Sequence, residues 1–296
     1  MFIIKVLILI FIFITIMESL TTQLLQEIKK NKKYSSIADE IVLEEINNHL
    51  KKNKVEKITK QDIKEIRSKL HRLYSSYLRG KKSKRTKLLH ELKNVISRED
   101  TSKKPLGVVD IINKILSTAV SAKERLEDYE EIYNKIFQIT DKPKTIIDIG
   151  CGLNPISYPY MQIDNLNYFA YDIDNEDINF LNEFFKIMRP FGLNGNAQIL
   201  DAKNLTNVSM IPNGDIIFLL KLIDLINTKD AKPGEELIKI LMNKTKFIVA
   251  SFATRTIGGK PMNLPRRKGF ELMLERINLK FEIIKTRNEI FYVISR

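Results

Sequence analysis

A single cysteine, Cys151, in 296 residues rules out a disulfide framework and fits a chain that works in a reducing cytosol. It reads as a small buried turn residue rather than as a nucleophile. Three histidines, His49, His71 and His90, stand apart with no metal-ligand spacing, so no metal is expected. Long apolar runs are also scarce. Met1 to Ile16 is almost wholly apolar, with Lys5 as its only charge, yet it falls short of the ~20 apolar residues that span a bilayer. No small-residue cleavage site follows it, as a signal peptide would require. The chain runs directly into Glu18-Ser19-Leu20-Thr21-Thr22-Gln23, a helix start, and Met17 stands where a soluble domain would begin. Residues 1–16 are therefore read as a product of start-site choice or a dispensable extension. The rival is a genuine membrane anchor, and a membrane partner would require it.

The rest has a globular composition, with 44% hydrophobic residues and room for one large or two modest domains. The net charge of +13 is concentrated. Residues 51–90 hold fifteen Lys or Arg against only Glu56, Asp62 and Glu65, a surplus of twelve that nearly equals that of the whole chain. A field of that size suits a polyanion, nucleic acid before an anionic membrane. The plainer reading is a solvated helical face in a lysine-rich proteome, but that bias would not cluster the charge.

Residues 18–104 carry apolar stripes at helical spacing: Leu24, Leu25 and Ile28; Ile37, Ile41, Ile46 and Leu50; Ile58, Ile63, Ile66, Leu70 and Leu73; Leu88, Leu89, Leu92 and Val95. They predict a basic all-helical domain over 17–105, closed by the polar, proline-ended linker Ser97–Pro105. From 106 to 296 the pattern changes. Helices at 111–122 and 126–139 precede strands at 145–149, 167–172, 197–200, 215–219, 246–252, 281–285 and 290–295, with helices at 175–188, 234–243 and 268–277. Such alternation predicts an α/β, doubly wound, mostly parallel sheet. The four residues Thr286–Glu289 cannot make a parallel crossover, so the last two strands pair as an antiparallel hairpin.

The densest chemical signal is Thr145-Ile146-Ile147-Asp148-Ile149-Gly150-Cys151-Gly152-Leu153-Asn154-Pro155. An apolar strand enters a turn in which Gly150 and Gly152 can bend sharply and let a ligand approach the backbone. A following helix would complete the nucleotide-binding corner of an open α/β sheet. The third glycine of a dinucleotide fingerprint is missing, and Asp-x-Gly-x-Gly resembles the first motif of Rossmann-like class I methyltransferases that bind S-adenosyl-L-methionine. An ordinary glycine-rich turn is the alternative.

Ligands in such sheets lie at the strand ends. Asp172 ends the second strand and could accept both ribose hydroxyls; Asp174 suits a helix N-cap better. Asp201 after the third strand could accept from the adenine amino group, with Ala202 beside it, or be one more turn aspartate. Asn154 and Leu220, behind the glycine turn and at the end of the fourth strand, join the cofactor-binding set. Lys221 follows where amino-methylating relatives carry an Asn/Asp-Pro-Pro-Tyr motif. Its absence argues against transfer to an exocyclic amine.

Five runs then resemble the aminoglycoside-resistance 16S rRNA (guanine-N7) methyltransferases. They are Ser121-Ala122-Lys123-Glu124-Arg125-Leu126; Asp148 through Pro155; Ala170-Tyr171-Asp172-Ile173-Asp174; Phe218-Leu219-Leu220-Lys221; and Ser251-Phe252-Ala253-Thr254-Arg255-Thr256-Ile257-Gly258-Gly259-Lys260. The resemblance implies a cytoplasmic enzyme that modifies rRNA within the small ribosomal subunit, at N7 of a guanine in the decoding region. It implies that an N-terminal helical domain docks on rRNA, and that Arg125 reaches the methionine carboxylate of the cofactor. It also places Phe252, Arg255 and Lys260 as positioning residues for the target base, with no general base. Lys81, Lys82, Lys84, Arg85 and Lys87 are the candidate RNA contacts. Two departures weaken the acceptor half: Ala253 where the family has proline, and Pro261-Met262-Asn263-Leu264-Pro265-Arg266-Arg267-Lys268 in place of an acidic, aromatic helix start, in a chain with no tryptophan. The alternatives are an RNA methyltransferase acting on adenine N1, a noncatalytic ribosome-assembly or RNA-binding factor, and a membrane-associated small-molecule methyltransferase. Nothing in the sequence sets an oligomeric state.

Overall fold

The computed structural model describes residue 11 and residues 18–53, 58–74, 82–98, 107–227, 233–255, 260–262 and 266–296. The expectations for residues 1–16, for Met17 and for Lys81 therefore lie outside the described residues, Phe11 excepted. So does most of the predicted linker. The chain divides into two compact units, residues 1–78 and 79–296.

The first unit is helical. Helix α1 covers residues 18–29, α2 Asp39–Asn53 and α3 Lys60–Tyr74. Leu24, Ile28, Ile41, Val42, Ile46, Leu50, Ile66 and Leu70 are buried, as their three- and four-residue spacing dictates. Thr59 and Asp62 cap α3 reciprocally: the Thr59 amide donates to Asp62 Oδ2 and the Asp62 amide to Thr59 Oγ1. The second Asp62 oxygen lies 2.8 Å from Nε2 of buried His49 and ties α2 to α3. His49 is thus accounted for by packing. Lys51, Lys52, Lys60 and Lys64 remain exposed.

The second unit takes in the 3-10 turn Lys82–Lys84 and α4 (Arg85–Arg98), ahead of the residues after Pro105. Leu92 and Ile96 of α4 are buried in one core with Val108, Ile111 and Ile115 of α5 (Val108–Leu116). That packing draws α4 away from the 17–105 grouping expected from composition. Helices α6 (Val120–Glu124) and α7 (Tyr129–Thr140) lead into the sheet.

Seven strands follow: β1 Thr145–Ile149, β2 Leu166–Asp172, β3 Leu193–Ile199, β4 Ile216–Leu220, β5 Phe247–Ala253, β6 Lys280–Lys285 and β7 Glu289–Ser295. Their order across the sheet is β3-β2-β1-β4-β5-β7-β6. The first five are parallel, and β7 runs antiparallel between β5 and β6. Strand β1 is buried on both faces. Ile146 joins the core on one side with α4, α5, α7 and α8 (Asn175–Met188). Ile147 and Ile149 join the other core with α9 (Leu205–Ser209), α10 (Ile223–Ile226), α11 (Pro233–Leu241) and α12 (Lys268–Arg276). The chain order reverses between β1 and β4, which opens the crevice where a ligand belongs.

The helix that follows the glycine turn is a 3-10 helix, Asn154–Met161. Pro159 inside it has no amide to donate and its ring would clash with the preceding turn of an α-helix.

Candidate active site

The turn after β1 is built by its glycines. Gly150 and Gly152 have φ of 68° and 50°, in the left-handed region that costs a Cβ-bearing residue. The Gly150 and Cys151 amides donate to the Tyr171 carbonyl at 2.8 and 3.0 Å, locking the turn to β2. A Cβ on Gly152 would meet no heavy atom of the described residues within 4 Å, so the space over the turn is open.

Two buried carboxylates face this turn. Asp148 sits between Ala170 of β2 and Phe218 of β4. Its Oδ2 accepts from Tyr168 Oη at 2.7 Å and from Asn154 Nδ2 at 2.9 Å. Its Oδ1 is buried with no partner among the described residues. Burial pushes the Asp148 carboxyl up to about 6, against the pull of the Tyr168 and Asn154 hydrogen bonds. Asp172 closes β2. Its Oδ2 accepts from the Gly152 amide at 2.8 Å, and its Oδ1 accepts from the amides of Ile173 and Asp174. Burial first, and the charge of Asp177 second, push Asp172 up to about 7. An orphaned buried oxygen, an open turn and a carboxylate poised near neutrality fit a ligand bearing an ammonium group and two hydroxyls, as S-adenosylmethionine does.

The other sequence-predicted residues fall out unevenly. Asp174 caps α8, accepting from the Glu176 and Asp177 amides. Asp201 is buried and its Oδ1 accepts from the Lys203 amide at 2.9 Å, the geometry of a turn aspartate, with Ala202 buried beside it. Leu220 is half-buried at the end of β4. Arg125, just past α6, is buried, and its fork grips Glu289 through Nε at 2.8 Å and Nη2 at 2.9 Å. Ser251 donates to the same carboxylate, and Lys221 Nζ lies 3.5 Å from it. Burial would raise Glu289, but Arg125 and Lys221 outweigh it and hold the group below its ordinary range. Lys221 has φ of 59° and donates its amide to Ser251 Oγ at 3.0 Å. Glu289 escaped notice in the sequence because 164 residues separate it from Arg125. Its only signal is an acid at the head of an apolar strand.

Phe252 is turned into the core. It is buried, with ring centroids 4.9 Å from Phe270 and 5.7 Å from Tyr292, and the Arg267 guanidinium lies 5.3 Å from its own. Its neighbours on the opposite face of β5 are Ser251, buried, and Ala253, half-buried. Arg255 is half-buried, its Nε 3.4 Å from the Arg287 carbonyl, and Lys260 is exposed. Residues 256–259 between them lie outside the described set.

The basic candidates divide as well. Lys84 and Lys87 are exposed. Arg85 is buried, donating through Nε to Thr118 Oγ1 at 2.8 Å and through Nη1 to Asp177 at 2.6 Å. It is spent inside the fold and offers nothing to RNA. Lys82 lies 2.6 Å from Asp174 and 3.3 Å from Asp177.

The sheet order, the open glycine turn and the carboxylates ending β1 and β2 define an S-adenosylmethionine-dependent methyltransferase. A family model described as Ribosomal RNA methyltransferase (FmrO) matches residues 30–293, and the chain belongs to that family. A Proteus mirabilis relative named 16S rRNA (guanine(1405)-N(7))-methyltransferase is 30% identical over 250 residues, 80% of this chain and 85% of its own length. A Micromonospora rosea relative of the same name is 26% identical over 277 residues, covering 93% and 96%. Among solved structures, the 16S rRNA methyltransferase RmtF in complex with S-adenosyl-L-homocysteine shares the fold. Its TM-score is 0.69 at 20% identity, over 94% of this chain and 98% of its own.

Proposed function

We propose that the chain transfers a methyl group from S-adenosylmethionine to N7 of a guanine in 16S rRNA, the nucleotide being the one that its relatives' names give. The observation that carries this is the open turn at Gly150 and Gly152 flanked by Asp148 and Asp172, within a chain of the ribosomal RNA methyltransferase family. The cofactor supplies an electrophilic methyl, and guanine N7 meets it with a free lone pair, so no proton has to be removed first. The protein's task is then positioning and exclusion of water. Asp172 accepts the ribose hydroxyls, Gly152 lets the ligand approach the backbone, and Asp148 Oδ1 takes up a donor from the amino-acid end. Arg125 holds the carboxylate of that end with the guanidinium edge that Glu289 leaves free. The target base is extruded into the crevice above β4 and β5, bordered by Lys221, Arg255 and Lys260. Exposed lysines, Lys51 and Lys64 in the first unit and Lys84 and Lys87 in the second, bind phosphates of assembled rRNA, which the enzyme would meet in the cytoplasm.

The test is to incubate unmodified small ribosomal subunits with methyl-labelled cofactor and to map the labelled nucleotide. Label at N7 of that guanine is expected. Label at an adenine N1 would replace the acceptor assignment, and no incorporation would remove the enzymatic reading.

A further inference from the structure

Three aspartates crowd the end of β2 and the first turn of α8. Asp172, Asp174 and Asp177 are 1%, 1% and 5% exposed. Helix and strand geometry bring them together: Asp174 must cap α8, and Asp177 lies one turn on. Glu176 adds a fourth, more exposed acid. Like charges this close in a dry corner cannot all persist unopposed. Two cations answer them, both supplied by the segment that enters α4. Lys82 Nζ reaches Asp174 Oδ2 at 2.6 Å, Asp177 Oδ1 at 3.3 Å and Glu176 at 3.5 Å. Arg85 Nη1 reaches Asp177 Oδ1 at 2.6 Å, and its Nε is fixed by Thr118.

Asp172 itself touches neither cation. Its link to them runs through α8: the Asp174 amide donates to Asp172 Oδ1, while the Asp174 carboxylate binds Lys82 and the helix amides. Among the described residues, Cys151 in the glycine turn also faces it and brings no positive charge.

We propose that Arg85 and Lys82 are positioning residues for the cofactor site. By neutralising Asp177 and Asp174 they hold the first turn of α8 in place and leave Asp172, where the ribose binds, as the one of the three buried aspartates that neither cation neutralises. The inference rests on the ribose reading of Asp172. It also reassigns two residues of a basic run from the rRNA surface to the methyl-donor pocket, so the run has two jobs, with Lys84 and Lys87 keeping the other.

The measurement is S-adenosylhomocysteine affinity of the full chain by calorimetry from about pH 6 to about pH 9, with a thermal melt to verify folding of each variant. Arg85→Met is expected to weaken binding about tenfold at neutral pH and to move the midpoint of the pH profile up by about one pH unit. Affinity should recover at the alkaline end. Arg85→Lys should keep a near-native profile, and Lys82→Met should shift it less. Adding Asp177→Asn to Arg85→Met removes the charge that Arg85 opposed and should restore the midpoint. A folded Arg85→Met protein with native affinity and midpoint would overturn the inference. So would a loss that Asp177→Asn fails to rescue, which would mark Arg85 as merely structural. Asp172→Ala separates the two layers: it should abolish binding, and native affinity there would overturn the ribose reading itself.

Discussion

The ends of β1 and β2 and the end of β5 lie along the same edge of the parallel sheet, yet they are built on opposite principles. At β1 and β2 the polar groups are interior and the backbone does the shaping. Asp148 and Asp172 are fully buried, and Gly150 and Gly152 supply the curvature. At β5 the large side chain turns inward, with Phe252 in an aromatic cluster with Phe270 and Tyr292, and cations come only beyond the strand's end, with Arg255 half-buried and Lys260 exposed. A small ligand that is the same for every methyltransferase can be met by fixed, buried acceptors. An rRNA base carried on a polyanion is better met by a rigid wall bearing exposed positive charge.

The largest effect that would break this contrast is at Phe252. Phe252→Ala should cost about 3–5 kcal/mol of stability, as for a large aromatic removed from a core, read as a fall in denaturation midpoint. Cofactor affinity of the remaining folded protein should be unchanged. A stable Phe252→Ala protein defective only in methylating subunits would restore Phe252 to the acceptor site.

A middle-sized effect sharpens the buried half. In the ligand-free protein Asp172 and Asp148 sit near 7 and 6, raised from an ordinary 3.8. A raised folded value means that these groups stabilise the fold fully below the ordinary value, and that this contribution is lost as pH climbs through the raised ones. Their share of ligand-free stability should therefore fall from mildly acidic to mildly alkaline pH. Ligand hydroxyls and ammonium donate to the ionised forms, so cofactor affinity should run the other way and weaken as pH drops through about 7. Melting temperatures with and without S-adenosylhomocysteine across that range test both signs. A ligand-induced gain that is flat with pH would contradict them.

The smallest effect concerns the exposed half. Lys84→Glu with Lys87→Glu should weaken subunit binding several-fold at low salt. The same change should lower the salt slope by about one for each phosphate that is no longer neutralised. Cofactor affinity should be untouched. An equal loss of both would place these lysines with Lys82 and Arg85.

What could be read ahead of the structure follows the same division. The strand from Thr145, the glycine turn, the Asp174 cap and the final hairpin are local patterns, and they stand within a residue or two of where periodicity and turn chemistry put them. The fate of Arg85 was not legible, because a lysine-arginine run at helical spacing looks solvent-exposed until Thr118 and Asp177 are seen around one of its members. Phe252 is likewise ambiguous in a strand whose two faces are both apolar. Glu289 is invisible for a different reason: its importance lies wholly in Arg125, Lys221 and Ser251, all distant in sequence.

Strand β7 has a consequence for how such a chain is made. It comes last in chain order but lies second from the sheet's edge, and it carries the Glu289 carboxylate that clasps Arg125. During synthesis the parallel half can form early, but β5 keeps a bare edge until residues 289–295 arrive to pair with it. Until then the guanidinium of Arg125 lacks the carboxylate that grips it through two nitrogens.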